Sequence, residues 1–104
     1  MTRPRIPFRR IDCEEFDACR NDGATVFDTR DAAAFAAGHV EGATRLTQAN
    51  ISEILAGLPR TTPVLIYCYR GNASREYAQI LSDFGFNDVS SLDGGYEAWR
   101  QRRR

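Results

Sequence analysis

Short apolar runs alternate with amphipathic segments along the whole chain, and this alternation predicts its secondary structure. The runs 24–28 and 64–67 have the length and the β-branched or aromatic content of buried strands. Between such runs, apolar residues recur at the spacing that is typical of helices. The predicted strands cover 8–11, 24–28, 44–46, 64–67 and 88–92, with a helix after each one.

Helix boundaries are predicted from capping residues, whose side chains accept hydrogen bonds from the free N–H groups of the first turn. A glutamate placed later in that turn completes a capping box. Two such boxes and one further capping aspartate occur in the chain: Asp12 with Glu15, Asn50 with Glu53, and Asp31. The helix that starts at Ser74 is predicted to stop near Gly85 and to bury Tyr77, Ile80, Leu81 and Phe84.

Strands that alternate with helices predict an α/β fold, in which a mostly parallel five-stranded sheet carries helices on both faces. The length of 104 residues fits a single domain over 1–104. Basic tails are expected at 1–7 and 100–104, because arginines are concentrated near the two ends. Ligands of such sheets bind at the carboxyl ends of the strands, so the residues that follow each strand are the first candidates for a site.

A cysteine directly follows the apolar run 64–67. Cys68 thus stands at the carboxyl end of a predicted strand, and the loop after it leads into the N-terminus of a helix. Free N–H groups and the helix dipole favour negative charge there, and they lower the pKa of a thiol. Cys68 is therefore the candidate nucleophile. The alternative is a small buried hydrophobic residue, which is a common role of cysteine.

The residues after this cysteine are the candidate substrate-binding residues: Tyr69, Arg70, Gly71, Asn72, Ala73 and Ser74. Successive N–H groups in a curled loop form an anion-binding concavity, and glycine permits the positive φ that such a loop needs. The Ser74 hydroxyl can cap the helix or line the pocket, and we expect the cap rather than a catalytic hydroxyl. The guanidinium of Arg70 is expected to attract an anion, and the alternative is that it points to solvent.

The chain contains 14 arginines and no lysine, which excludes chemistry that needs a lysine nucleophile. Residues 11–99 hold all 14 acidic residues and six arginines, an excess of eight negative charges. This negative charge repels an anionic substrate at long range, so any anion site must be built locally. Arg70 and Arg75 are the cationic residues available near Cys68. The arginines at the two ends are expected to aid solubility rather than to bind nucleic acid specifically.

No metal site is expected from the cysteines and the histidine. The three cysteines form no C-x-x-C pair, and the single histidine, His39, is expected to be structural. No apolar run approaches the roughly 20 residues of a membrane helix, and no apolar segment of a secretory signal follows Arg10. The sequence therefore predicts a cytoplasmic protein without disulfides and without membrane contact.

Three segments together resemble the signatures of the rhodanese family. Residues 26–31 with 38–43 resemble its first signature, 68–74 its active-site loop, and 92–99 its C-terminal signature. The resemblance covers nearly the whole chain and is strongest to the small bacterial sulfurtransferases of the glycerol-regulon type. It implies a thiosulfate sulfurtransferase without cofactor, in which the Cys68 thiolate takes sulfur from thiosulfate as a persulfide. A thiophilic acceptor, such as cyanide or a thiol, then receives that sulfur.

The active-site loop departs from some relatives at one position, and four residues of the other two signatures are expected to be structural. Some relatives carry an arginine at the position of Ala73, so a two-point anion clamp is not implied for this loop. Asp28 and Arg30 are expected to form a structural hydrogen-bonded pair. Tyr96 and Trp99 are expected to anchor the last helix in the core.

Two other functions remain open at this point. A phosphatase or arsenate reductase of the same fold needs an arginine six positions after the cysteine, whereas that position here is Ser74 and the nearest arginine is Arg75. A persulfide carrier that exchanges sulfur with a protein donor or acceptor needs the same cysteine and loop. The sequence hardly separates this carrier from the enzyme.

Overall fold

One sheet runs through the molecule, and every neighbouring pair of its strands is parallel. The computed structural model describes residues 8–102. Its strands are β1 (Arg9–Ile11), β2 (Thr25–Asp28), β3 (Thr44–Arg45), β4 (Val64–Tyr67) and β5 (Val89–Leu92). They lie in the order β1-β5-β4-β2-β3. The predicted α/β class and the five-stranded sheet are confirmed, and the sheet is parallel throughout.

A helix follows each strand, as predicted. The helices are α1 (Cys13–Asn21), α2 (Ala32–Ala37), α3 (Ile51–Gly57), α4 (Ala73–Asp83) and α5 (Gly95–Arg102). The last helix includes Arg100 and Arg102, so the arginine run expected as a C-terminal tail begins inside a helix. The expected tail at 1–7 and residues 103–104 lie outside the described residues.

The sheet separates two apolar cores, and β4 contributes to both. Leu65 and Tyr67 pack into the core on the side of α1 and α5, whereas Val64 and Ile66 pack into the core on the side of α3 and α4. This alternation is the period of two that an extended strand imposes. All four residues of β4 are buried, because helices cover both faces of the sheet at its centre.

Two of the four predicted helix caps, those at Asp12 and Asp31, are confirmed. The Asp12 carboxylate accepts a hydrogen bond from the N–H of Glu15 over 2.9 Å at the start of α1. The Asp31 carboxylate accepts one from the N–H of Ala34 over 2.8 Å at the start of α2. Both bonds satisfy N–H groups that have no partner inside the helix.

The capping box predicted at Asn50 is wrong. The Asn50 side chain makes no capping bond to α3. Its amide oxygen instead accepts from the N–H of Thr47 over 2.8 Å, and its NH₂ group donates to the Arg45 carbonyl over 2.9 Å. The asparagine thus stabilises the turn before the helix. Because its single carbonyl oxygen is engaged in that turn, it is not available to cap α3.

The buried face predicted for α4 is partly wrong. Ile80 and Phe84 are 39% and 57% exposed, whereas Leu81 is fully buried. The helix faces the sheet with a stripe that includes Ser74, Ala78 and Leu81. The small side chains of this stripe let the helix approach the sheet closely, and the larger apolar residues are left on its flank.

Candidate active site

The candidate nucleophile lies at the carboxyl end of the central strand. Cys68 follows Tyr67, the last residue of β4, and it is only 3% exposed. The loop 69–72 carries the chain from this point to α4, which begins at Ala73. The predicted strand–loop–helix arrangement is confirmed, and the thiol is buried within it.

Hydrogen-bond donors surround the Cys68 sulfur. The backbone N–H of Gly71 donates to Sγ over 3.0 Å, and the Ser74 hydroxyl oxygen lies 3.4 Å from Sγ. Burial by itself raises the pKa of the Cys68 thiol. The Ser74 hydroxyl and the backbone N–H groups of Ser74, Gly71 and Arg70 outweigh burial, and the pKa lies below that of an ordinary cysteine. The arrangement favours the thiolate, which is the nucleophilic form.

A second cysteine shows that a helix N-terminus alone does not produce this effect. Cys13 is the first residue of α1, and it is buried like Cys68. Burial raises the pKa of the Cys13 thiol, and the charge of Arg102 does not offset burial together with the nearby carboxylates of Asp17 and Asp12. The two thiols therefore differ in the donors that are turned toward the sulfur.

One glycine allows the loop to turn its N–H groups inward. Gly71 has φ of +96°, which side chains rarely adopt. A Cβ at this position would lie 3.0 Å from the backbone nitrogen of Gly94 and 3.2 Å from the carbonyl oxygen of Leu92. The positive φ predicted for Gly71 is confirmed, and it gives the loop the shape of an anion-binding concavity.

The first turn of α5 holds the outer side of the same loop. The backbone N–H of Tyr96 donates to the Cys68 carbonyl over 2.8 Å, and that of Glu97 donates to the Tyr69 carbonyl over 3.1 Å. A Cβ on Gly95 would lie 2.6 Å from backbone atoms of both loop residues. Because α5 binds the carbonyl groups of the loop, the loop is fixed with its N–H groups free to face the sulfur.

The structure corrects the prediction for Ser74. This residue does not cap α4, because it lies inside the first turn and is fully buried. Its hydroxyl stands between the Cys68 sulfur and the hydroxyl of Ser91 on β5, with 2.8 Å between the two serine oxygens. Ser74 therefore forms the floor of the site. Sequence reasoning missed Ser91, although two adjacent serines within the predicted strand 88–92 were a visible signal.

Two arginines near the cysteine have different positions. The Arg70 side chain is exposed, and within residues 8–102 its guanidinium forms no hydrogen bond or ion pair, so only its backbone N–H reaches the sulfur. Arg75 donates from Nε to the Gly71 carbonyl over 2.8 Å and from Nη2 to the Asn72 side-chain oxygen over 2.7 Å. Arg75 thus stabilises the loop, and Arg70 lies at its rim.

The remaining loop residues form that rim as well. Asn72 and Ala73 are exposed at the start of α4. Tyr69 is exposed too, and its hydroxyl donates to the Asp31 carboxylate. This hydrogen bond lowers the pKa of the Asp31 carboxyl and raises that of the Tyr69 hydroxyl. The rim is therefore polar and open, whereas the sulfur below it is enclosed.

The rhodanese-like domain family matches residues 12–102, which include the cysteine, its loop and the helix that holds it. This chain belongs to the rhodanese family. The thiosulfate sulfurtransferases GlpE of Pseudomonas fluorescens strain SBW25 and of Pseudomonas putida strain GB-1 are each 44% identical to this rhodanese over 89% of its length. The matches cover 85% and 86% of those two proteins.

Solved structures show the same rhodanese fold. A rhodanese-related protein from Thermoplasma volcanium has a TM-score of 0.78 at 23% identity, covering 91% of this chain and 93% of its own. A rhodanese-like domain protein from Staphylococcus aureus has a TM-score of 0.76 at 21% identity, covering 88% of this chain and 91% of its own. At these identities the likeness concerns the fold.

In this rhodanese domain an ion pair at the carboxyl end of β2 lies near the rim, with the Arg30 guanidinium 5.8 Å from the centre of the Tyr69 ring. The Asp28 carboxylate, which is fully buried, receives hydrogen bonds from Arg30 Nε and Nη2 at 2.8 to 3.1 Å. Nη2 also donates to the Gly38 carbonyl over 2.6 Å, and the guanidinium lies 4.0 Å from the centre of the Tyr96 ring. The expected structural pairing is present.

The histidine and the tryptophan contact other parts of the fold. His39 stacks on Phe35 with 3.8 Å between ring centres, and its Nδ1 lies 2.7 Å from the Phe35 carbonyl oxygen. Trp99 is buried, and its Nε1–H donates to the Asp17 carboxylate over 2.9 Å. The contacts of His39 fit the expected structural role, and the indole of Trp99 anchors α5 against α1.

Within residues 8–102, no group of three or more histidine, cysteine or acidic side chains could hold a metal ion. The three cysteines are free thiols. In the same part of the chain, none of the helices is long and apolar enough to cross a membrane.

Proposed function

We infer that this rhodanese is a thiosulfate sulfurtransferase that carries sulfur as a persulfide on Cys68. The observation that carries the proposal is the environment of this thiol, which accepts a hydrogen bond from the N–H of Gly71 over 3.0 Å and has a lowered pKa. Relatives named thiosulfate sulfurtransferase, 44% identical over 89% of the chain, support the substrate.

The first half of the reaction loads the cysteine. The Cys68 thiolate attacks the outer sulfur of thiosulfate, and a bond forms between Sγ and that sulfur. The S–S bond of thiosulfate breaks, and sulfite leaves with the electron pair. The persulfide then carries its negative charge on the outer sulfur, which the inward N–H groups of the loop stabilise.

The second half returns the cysteine to its starting state. A nucleophilic acceptor, such as cyanide or a thiol, attacks the outer sulfur, and Cys68 Sγ leaves as a thiolate. A thiol of low pKa is a good leaving group. The donors that lower the pKa of Cys68 therefore assist both the attack and the departure.

The loop supplies the substrate site in this proposal. The N–H groups around Gly71 bind the anion, Ser74 forms the floor, and the exposed side chains of Tyr69, Asn72 and Ala73 surround the entrance. Arg70 stands at the same rim, where its charge attracts thiosulfate against the acidic body of the domain.

Intact-protein mass spectrometry tests the proposal. After incubation with thiosulfate, the wild-type protein should gain the mass of one sulfur atom, and cyanide should remove it. Cys68→Ser should gain nothing while it keeps its fold by circular dichroism. Sulfur gained by Cys68→Ser, or by wild type at Cys13 or Cys19 alone, would contradict the assignment of Cys68.

A sulfur relay is the second candidate function, and the open rim of the loop favours it. Exposed Tyr69 and Arg70 border the buried sulfur, so a protein donor or acceptor could reach the persulfide there. Slow turnover with thiosulfate and efficient loading by a cysteine desulfurase would identify this function. A protein partner and a cytoplasmic location both remain predictions from the sequence.

The phosphatase alternative receives no support from the geometry. Arg75 donates to the Gly71 carbonyl and the Asn72 side chain, so its guanidinium is bound to the outside of the loop. Ser74, at the position where those enzymes need an arginine, is fully buried.

A further inference from the structure

A buried hydroxyl group lies where the strand pattern calls for an apolar side chain. Ser91 is fully buried in β5, an interior strand that pairs with β4 on one side and with β1 on the other. Its register partners are Ile66 and Arg10. Burial of a hydroxyl is unfavourable unless it is hydrogen-bonded. The Ser91 hydroxyl bonds to Ser74 Oγ over 2.8 Å, and Ser74 Oγ in turn lies 3.4 Å from Cys68 Sγ.

The ionised state of the sulfur determines where the protons of these two hydroxyl groups lie. Each serine has one O–H proton to donate. A Cys68 thiolate can only accept, so the Ser74 hydroxyl donates to the sulfur. The oxygen of Ser74 is then left to accept from its other neighbour, and Ser91 donates to it. The proton order is therefore Ser91 to Ser74 to the Cys68 sulfur.

We propose that Ser91 is a positioning residue for sulfur transfer, and that its hydroxyl orients the Ser74 proton toward the Cys68 thiolate. The inference rests on the proposed role of Cys68 as nucleophile. Hydrogen bonds in a chain polarise one another, so the donor behind Ser74 strengthens the bond that Ser74 gives to the sulfur. The effect is largest in the free enzyme and in the step where Sγ leaves as a thiolate.

The charged side chains on the elements that surround Cys68 have other partners or are exposed. The Asp28 carboxylate on β2 binds Arg30, and Arg75 on α4 binds the outside of the loop. Arg70 of the loop is exposed. After β5 and on α5, carboxylates pair with arginines: Asp93 with Arg10, and Glu97 with Arg100. Ser91 therefore acts on the Cys68 sulfur through an uncharged hydrogen-bond donor, the Ser74 hydroxyl, and not through a charged side chain.

The test is the pH dependence of Cys68 alkylation by iodoacetamide, followed by mass spectrometry of the peptide that contains Cys68. In Ser91→Ala the profile should move to higher pH. Below the midpoint of the profile, the alkylation rate should fall about threefold, which is less than one full hydrogen bond to a charged group contributes. An unchanged profile in Ser91→Ala would overturn the proposal.

The chain offers a matched control in the adjacent residue. Ser90 is also buried, and alternation along the strand directs it to the opposite face of the sheet. Its hydroxyl has no hydrogen-bond partner within the described part of the chain. The alkylation profile of Ser90→Ala should coincide with that of wild type. A shift in Ser90→Ala as large as in Ser91→Ala would assign the effect to general loosening of β5.

A double variant tests whether Ser91 acts through Ser74. Ser74→Ala should shift the profile more than Ser91→Ala, because it removes the donor itself. Ser74→Ala combined with Ser91→Ala should match Ser74→Ala alone, and additive shifts would contradict the proposed order. Alkylation needs no sulfur transfer, so this result is independent of persulfide formation, which Cys68→Ser tests.

An isosteric pair keeps the test decisive if alanine at position 91 disturbs folding. Ser91→Thr and Ser91→Val differ by one hydroxyl at nearly equal volume. The threonine variant should keep the lower midpoint, and the valine variant should have the higher one. Equal midpoints in two variants of equal melting temperature would show that the hydroxyl has no role.

Discussion

The backbone N–H of Tyr96 donates to the carbonyl oxygen of Cys68 over 2.8 Å. This bond joins the first turn of α5 to the residue that we propose as nucleophile, although 28 positions separate the two in the sequence. It requires the backbone of α5 to approach the loop closely, and Gly95 is the residue at the point of contact. The shape of the site therefore depends on a residue outside the loop.

Gly95→Ala is expected to destabilise the fold and to slow sulfur transfer. Gly95 has φ of +61°, and a Cβ there would lie 2.6 Å from the carbonyl oxygens of Cys68 and Tyr69. We expect a loss of about 2–4 kcal/mol in the free energy of unfolding, measured by urea denaturation. The control is Gly57→Ala, because a Cβ on Gly57 would meet nothing within 4 Å. Equal stability and activity of the two variants would contradict the role of Gly95.

Replacement of Arg70 in the loop and replacement of Arg75 on α4 should have different kinetic effects. Arg70→Ala should raise KM for thiosulfate about threefold to fivefold with little change in kcat, because an exposed charge contributes to binding before the reaction. Arg75→Ala should mainly lower kcat, because it removes two hydrogen bonds that fix the loop. Steady-state kinetics with thiosulfate and cyanide separates the two. An unchanged KM in Arg70→Ala would show that the guanidinium does not act on the substrate.

The pKa values of the two buried cysteines should be shifted in opposite directions. Hydrogen bonds overcome burial and lower the pKa of Cys68, whereas burial raises the pKa of Cys13. Alkylation of Cys68 should therefore reach its plateau at lower pH than an ordinary cysteine, and Cys13 should react only at higher pH. Peptide mapping after pulses of iodoacetamide at several pH values measures both. A common midpoint would argue against selective activation.

The same shift links the cysteine to stability. Because the pKa of Cys68 is lower in the folded state than in the unfolded chain, its ionisation stabilises the fold above the unfolded pKa. This contribution is lost as pH falls through the folded pKa. Cys68→Ala should lack it, so its melting temperature should depend less on pH than that of wild type across this interval.

The revised orientation of α4 gives a simple stability test. Leu81→Ala should lower the free energy of unfolding by about 2–5 kcal/mol, because Leu81 is fully buried. Phe84→Ala should lower it by less than about 1 kcal/mol, because Phe84 is 57% exposed. Denaturation with guanidinium chloride measures the free energy of unfolding of both variants. A larger loss of stability in Phe84→Ala than in Leu81→Ala would support the buried helix face that was predicted from periodicity.

Local signals in the sequence were sufficient for the framework of the site. The strand before Cys68, the glycine in its loop and the caps at Asp12 and Asp31 each depend on neighbouring residues, so they could be predicted. The same reasoning failed at Asn50, because two local hydrogen bonds compete for one side chain and the turn before the helix takes it.

The contacts that sequence reasoning missed depend on how distant elements pack. Ser74 meets Ser91 only because β5 lies beside β4 beneath α4, and a capping pattern carries no information about that register. The exposure of Phe84 has a similar origin. Periodicity gives the stripes of a helix, but the small residues Ser74 and Ala78 decide which stripe lies against the sheet.

The strand order also affects how the chain can fold during synthesis. The first strand, β1, pairs with β5, so its partner is among the last parts of the domain to leave the ribosome. Pairing of such distant segments requires a long loop to close, which makes folding slow and late. Ser91 on β5 bonds to Ser74, and Tyr96 on α5 binds the Cys68 carbonyl, so the arrangement that lowers the pKa of this thiol can form only after these last elements have packed in place.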